Sequence, residues 1–364
     1  MATIDSYETK TLGKLWRVRY RTPDGKQTME RGFKTKRDAT LWMNNLEVAK
    51  SKGEYVSTTA GRVTFADISE RWLDSRIDLK PSTLSNYRHC LDKHVLPQWG
   101  NRQIASISKP QVEAWVKLMS KEGTSATSIR LPFNTLGAVL KFAVAENRLA
   151  KNVCVGVKVP KIVHRRHGYL NHDQVDALAE HCKDYGDVVL FLAYTGLRWG
   201  EMAALKVQSL NMLKRRIDVS EAVAEVKGRI VWGTPKNGEP RSVPFPVFLA
   251  ELLAARCEGK AREDLVFTAP DGGVLRGNNF RKRVFNPALK VMRAQDRSAP
   301  VVTPHDLRHT AASLAVSAGA NVKAIQRMLG HKDAAVTLNT YADLFEDDLD
   351  QVADALDVAR RKFM

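Results

Sequence analysis

The stretch "TPHDLRHTAASLAVSAG", Thr303 to Gly319, decides how the chain is read. Its first turns carry His305, Arg308 and His309, and beyond them it becomes small and apolar. That pattern is a helix with a cationic start and a packing body. His305 and Arg308, at i and i+3, share one helix face. They stand at the helix N-terminus, where free N–H groups and the macrodipole favour an anion. The segment reads as half of a phosphate clamp. His309 reads as a packing residue that braces the helix, outside the chemistry.

Composition points the same way. The chain has 364 residues, with 57 Lys and Arg against 40 Asp and Glu, a formal net charge of +17. A balance this basic favours a polyanionic partner, nucleic acid before a merely soluble basic protein. The length predicts two or three domains. The longest apolar run, Val188 to Tyr194, is far too short to span a membrane, so no membrane partner is expected. "MATIDSYETK" carries no apolar stretch, so no secretory leader is expected. Cys90, Cys154, Cys182 and Cys257 are scattered and form no Cys-x-x-Cys pair. They read as free thiols in a reducing cytoplasm.

Working outward, four stretches have different periodicities, and the fold class they predict is multidomain α+β. Residues 1–57 predict a small three-stranded sheet plus one helix. "KLWRVRYR" alternates, with Trp16, Val18 and Tyr20 on one face and Arg17, Arg19 and Arg21 on the other. Asp24-Gly25 supplies a turn, a second strand runs over about 26–31, and a short third over about 32–35. A helix follows, capped by Thr35 and stopped by Gly53. The arginine face has no acidic partner in its own strand and reads as a DNA-facing surface. Residues 63–150 predict an all-α bundle of four amphipathic helices. Thr64 caps the first, Lys80-Pro81-Ser82 opens the second, which ends at Pro97, and Ser108 caps the third. Pro132 lies inside the fourth. Lys80, Ser82, Thr83 and Arg88 are candidate backbone contacts, though each is equally a cap or a solvated residue. Residues 151–168 read as a basic linker ending in Arg165 and Arg166, both candidate DNA contacts.

Residues 169–364 predict a mainly helical domain with a small antiparallel sheet. Asn171 and Gln174 form a helix-entry pair. An apolar helix breaks at Thr195-Gly196, and a second starts near Arg198. Asn237-Gly238 is the strongest hairpin signal in the sheet region. Arg198, Lys236, His305, Arg308, His331 and Tyr341 are the candidate site residues. Singly, most have plain alternatives: a surface arginine, a solvated hairpin lysine, a helix-stop histidine, a core tyrosine. An arginine at a helix start opposes the dipole unless an anion lies nearby.

Taken together, "TGLRWGEMAAL", "TPHDLRHTAAS" and "MLGHKDAAVTLNTYADL" resemble the signature segments of the tyrosine recombinase, or phage integrase, family. All six residue types of that family's site occur in the expected order. The resemblance extends over the whole chain, since the first two regions look like its arm-type and core-binding (SAM-like) DNA-binding domains.

The resemblance implies a site-specific DNA recombinase of phage or prophage origin. It would cleave and rejoin strands through a 3′-phosphotyrosine intermediate, integrating or excising DNA. Tyr341 is then the nucleophile. Arg198 and Arg308 are fork-shaped donors to the nonbridging oxygens, and His331 is a further donor. Such donors are typically worth about 10²–10³ in rate each. His305 is the expected helper of the phenol, and Lys236 the acid for the leaving 5′ oxygen. Neither a cluster of carboxylates nor a nucleotide-binding glycine loop occurs, so no metal, nucleotide or other cofactor is expected. Implied partners are double-stranded DNA at core and arm sites, three further copies in a homotetramer, a host DNA-bending protein and a directionality factor. The implied location is the cytoplasm of a bacterial host, at the nucleoid. The amphipathic C-terminal stretch, 345–364, is expected to dock either on a neighbouring subunit or on its own domain. Rival readings are DNA relaxation of the type IB topoisomerase kind, or a catalytically silent architectural or regulatory DNA binder.

Overall fold

The computed structural model describes every residue except 1, 10, 23, 24, 52–54, 56–59, 163–167, 237, 334, 336, 337, 339, 340, 342–355, 358, 359 and 362–364. The chain divides into two compact units, residues 1–163 and 164–364.

The first unit begins with an antiparallel sheet of β1 (Thr3–Thr9), β2 (Gly13–Arg21) and β3 (Gln27–Phe33), in that order. The third strand is therefore residues 3–9, where a strand near 32–35 was expected; β3 runs unbroken through Gly32 to Phe33. "TIDSYET" is polar because it is a half-exposed edge strand. Helix α1 (Lys36–Ser51) is capped by the Thr35 hydroxyl, which accepts from the Asp38 N–H at 3.1 Å. Val18 and Tyr20 are buried, and Trp42 of α1 lies against Tyr20 and Phe33 with ring centroids 5.4 and 5.7 Å apart. The opposite face carries the arginines.

The helical part holds α2 (Phe65–Asp74), α3 (Pro81–Cys90), α4 (Leu96–Trp99), α5 (Lys109–Lys121) and α6 (Ala126–Ala145). Thr64 caps α2, and the Gln111 side chain accepts from the Ser108 N–H at 3.0 Å at the start of α5. Pro97 does not end its helix. A π-helical turn, Leu91–Val95, precedes it and lets the chain continue to Trp99. Helix α6 likewise continues through a buried Pro132. Phe65, Ile68, Leu91, Trp99, Leu136 and Leu140 fill the core. The expected linker starts too early. Cys154 is buried in this core, and Asn152 donates to the Gly137 carbonyl at 2.8 Å. Apolar Val153, Cys154 and Val157 are held by burial despite the basic residues around them. Arg165 and Arg166 lie outside the described residues.

The second unit opens with α7 (His172–His181), where the Asn171 side chain accepts from the Gln174 N–H at 2.8 Å. It continues with α8 (Gly186–Thr195) and α9 (Trp199–Met202). Next come β4 (Leu210–Asn211), β5 (Arg216–Val219), β6 (Ala222–Val226), β7 (Arg229–Gly233) and β8 (Arg241–Pro244). These make two small antiparallel sheets, β4-β5-β8 and β6-β7. The tight hairpin is at Lys227-Gly228, both with positive φ, 50° and 78°. Asn237 of the expected hairpin tip lies outside the described residues, and the strands on either side of it, β7 and β8, lie in different sheets. Helices α10 (Phe248–Cys257), α11 (Gly277–Phe280), α12 (Asn286–Gln295), α13 (Asp306–Ser317) and α14 (Val322–Leu329) follow. Buried Val188, Val189, Phe191 and Leu192 of α8 make it the centre of the core, flanked by α7 and α13. No helix of the described residues is long and apolar enough to cross a membrane. The expected C-terminal amphipathic helix falls largely outside the described residues.

Candidate active site

Three helix ends create the site. Helix α8 stops at Gly196, left-handed with φ 65°, and α14 stops at Gly330, with φ 63°. Both ends leave carbonyls without intrahelical donors. Helix α13 brings Arg308 between them. Its guanidinium donates to the Gly196 carbonyl and to the Leu329 carbonyl. Arg308 is only 4% exposed, and burial, then the neighbouring Arg198 charge, pulls its pKa down to about 9.

Arg198 is the N-cap of α9, in the extended conformation. Its Nη1 donates to Glu201 Oε1 at 2.9 Å, its backbone N–H to Glu201 Oε2 at 2.9 Å, and its Nη2 to the Gly330 carbonyl at 3.4 Å. Glu201 is thus the local countercharge, and Arg241, from β8, forks onto the same carboxylate at 3.0 and 2.6 Å. Burial would raise the Glu201 pKa, but the Arg241 hydrogen bonds and charge, then Arg198, hold it at about 2.

His331 follows the α14 cap. Gln326 fixes it from both sides of the turn: its carbonyl accepts from the His331 N–H at 3.1 Å, and its side-chain amide donates to the His331 carbonyl at 3.0 Å. Burial, then the fields of Arg308, Arg198 and Arg241, lowers the His331 pKa to about 4, so the ring is neutral at physiological pH. Arg198, Lys236, Arg241, Gln326 and His331 line one cleft of about 910 Å³, with Lys236 exposed at its edge.

Tyr341 is 1% exposed, packed against Ala312, Val316, Ile325 and Leu329. Burial pushes its pKa up to about 12, opposed by the Arg308 charge. Its hydroxyl lies 2.8 Å from Nδ1 of His309, not against His305. His305 stands one step back, its ring 5.5 Å from that of His309, and lines a separate depression beside Trp199. The structure therefore gathers Arg198, Lys236, Arg308 and His331 around the α14 terminus, places the phenol in the field of Arg308, and keeps His305 at second remove. His309, read as a brace only, is the residue in contact with the phenol. The sequence reading also missed Glu201, Arg241 and Gln326. Glu201 had a usable signal, its i+3 spacing from Arg198; Arg241 and Gln326 are brought in only by tertiary packing.

In the first unit the basic face is partly neutralised. Asp5, on the neighbouring strand, accepts from Arg17 Nε at 2.7 Å and from Arg19 at 3.3 Å, leaving Arg21 exposed. Arg88 is forked onto Glu70. Ser82 and Thr83 are half-buried in the first turn of α3, and Lys80 is its exposed N-cap. Among the described residues no group of acidic, histidine or cysteine side chains has the makings of a metal site.

Comparison with known proteins places this arrangement. Residues 168–347 match the phage integrase family, 64–120 its N-terminal SAM-like domain, and 6–50 an arm DNA-binding domain. The integrase of Mycobacterium phage D29 is 28% identical over 318 residues, covering 83% of this chain and 82% of its own. An integrase of Streptomyces ambofaciens is 29% identical over 344 residues, 88% and 86% of the two chains. Among solved structures, the Tn1549 transposon integrase in complex with transposon right end DNA superimposes with a TM-score of 0.68. It is 20% identical over 80% of this chain and 100% of its own. A lambda integrase tetramer bound to a Holliday junction gives 0.60 at 18% identity, over 90% and 96%. The chain belongs to the phage integrase family and is a site-specific tyrosine recombinase.

Proposed function

We propose that this chain integrates or excises phage or prophage DNA by transesterification through Tyr341. The phenolic oxygen attacks the scissile phosphorus, a 3′-phosphotyrosine bond forms, and the 5′-oxygen leaves with a proton from Lys236. Arg198 and Arg308 hold the nonbridging oxygens with charge-assisted hydrogen bonds, and neutral His331 donates a further one. His309, in contact with the phenol, takes the phenolic proton or orients it, with His305 behind it. The energy of the broken ester stays in the phosphotyrosine, so rejoining needs no nucleotide.

The observation that carries this reading is the convergence of Arg198, Arg308 and His331 on the end of α14, with the Tyr341 hydroxyl in the field of Arg308. Because the phenol is buried and its pKa raised, it must be uncovered before it can react. Residues 1–57 are proposed to bind arm sites, with Arg17, Arg19 and Arg21 on their backbone, and 63–150 and 169–364 to bind the core site, with Lys80, Ser82, Thr83 and Arg88 on its backbone. The Asp5 and Glu70 ion pairs would then open to phosphate. Four copies would assemble on two DNA segments, as the lambda integrase assembles as a tetramer on a Holliday junction, with a host DNA-bending protein and a directionality factor, at the bacterial nucleoid. Covalent trapping on nicked DNA tests the proposal. Tyr341→Phe abolishes the adduct and leaves DNA affinity nearly unchanged; an adduct surviving that substitution refutes it.

A further inference from the structure

The end of α14 is a row of three consecutive carbonyls, each accepting from a different arginine. Met328 accepts from Arg241 Nε at 3.2 Å, Leu329 from Arg308, and Gly330 from Arg198 at 3.4 Å. Arg198 and Arg308 already have roles in the proposed chemistry. Arg241 has none, yet its side chain is only 11% exposed and all three of its nitrogens are engaged. Two of them fork onto Glu201, the carboxylate that Arg198 also uses.

We infer that Arg241 is a positioning residue: it occupies the Glu201 carboxylate in a bidentate fork and so keeps Arg198 turned toward the scissile phosphate. A carboxylate left to one arginine favours a two-pronged pair. With Arg241 in place, the Arg198 guanidinium reaches Glu201 through Nη1 alone, and its other prong makes only the long contact to Gly330. That prong is available to a phosphate oxygen. Without Arg241, the same carboxylate draws Arg198 inward. The Met328 bond adds a second effect, since it ties the fork to the turn that carries His331. Close packing enforces the arrangement: a Cβ on Gly330 would sit 2.8 Å from Arg241 Cδ. Lysine, a point charge without a fork, cannot reproduce it.

The inference rests on the reading of Arg198 as a phosphate donor, and the experiment separates the two. Full-length wild-type chain is first used to capture covalently its preferred nicked duplex from a randomised pool. Adduct formation at saturating concentrations of that duplex is then timed for Arg241→Gln, Arg198→Lys and the double variant, with affinity by gel shift. Arg241→Gln should slow adduct formation by about tenfold to a hundredfold, less than loss of a direct donor typically costs. Affinity should change by less than about threefold, since the lost interaction is not with DNA. In the Arg198→Lys background the same change should cost less than about threefold, because the residue it acts through is already gone. Equal losses in both backgrounds, or no loss in either, overturn the inference while leaving the recombinase reading intact. Failure of the wild-type chain to capture any duplex overturns that reading, and the inference falls with it. If Arg241→Gln does not fold, Arg241→Lys serves in its place and must show the same non-additivity; additive losses refute it.

Discussion

Replacing Glu201 by glutamine should cost about 3 kcal/mol of folding stability at neutral pH. The carboxylate is 1% exposed and accepts four hydrogen bonds, two from Arg198 and two from Arg241. Its pKa is held at about 2 in place of 4.5 although burial alone would raise it. At about 1.4 kcal/mol for each tenfold change in affinity for the proton, that depression is worth about 3 kcal/mol. The sign follows from linkage. The folded-state pKa lies below the unfolded one, so the contribution is complete above the unfolded value and is lost as pH falls through about 2. Glutamine at neutral pH removes it all and leaves the half-buried Arg198 and Arg241 without their countercharge, toward the low end of the about 3–5 kcal/mol typical of breaking a fully buried pair. In a unit of about 200 residues each kcal/mol shifts melting by about 2–4 °C, so the unfolding temperature should fall by about 6–12 °C. Urea and thermal melts of Glu201→Gln beside wild type at pH 7 measure it. A loss below about 1 kcal/mol would show that the ion-pair group is not what braces α9 against α14.

Two further outcomes follow from the same geometry. His331 should stay neutral down to about pH 5 in an NMR titration, because burial and three arginines depress its pKa to about 4. Since the unfolded ring protonates near 6.5, stability should decline as pH drops from there toward 4, and His331→Gln should remove that decline; a titration midpoint at 6 or above contradicts the geometry. Gly330→Ala places a side chain at φ 63° and against Arg241. It should cost about 1–2 kcal/mol for the left-handed backbone alone, and, by displacing the fork, should also slow adduct formation in the trapping assay.

Much of this was legible locally. The helix break at Gly196, the Asn171–Gln174 entry and the Thr64 cap are written in adjacent residues, and local hydrogen bonds decide them. What escaped is decided by tertiary structure. Residues 3–9 are a strand only because β2 lies beside them; their polar sequence carries little apolar alternation. Lys227, a poor residue for positive φ, takes the hairpin that Asn237-Gly238 signals more strongly, because β6 and β7 pair across it. Cys154 is drawn into a core that a basic neighbourhood conceals. In the site, the order of Arg198, Lys236, His305, Arg308, His331 and Tyr341 is a property of sequence, but their mutual distances are not. One helical step separates His305 from His309 in the role of contacting the phenol. Arg241 meets Glu201 only because β8 is brought beside α9.

The guanidinium of Arg308 joins the ends of two helices before any DNA arrives. A lifeless Arg308 substitution is therefore a poor witness to mechanism, since it also cuts the tie between α8 and α14. Arg198, more exposed and held partly by a carboxylate, is the cleaner place to ask what a guanidinium does for the reaction. Any catalogue of inactive variants in this chain needs a folding measurement beside each Arg308 row before that row is counted as chemistry.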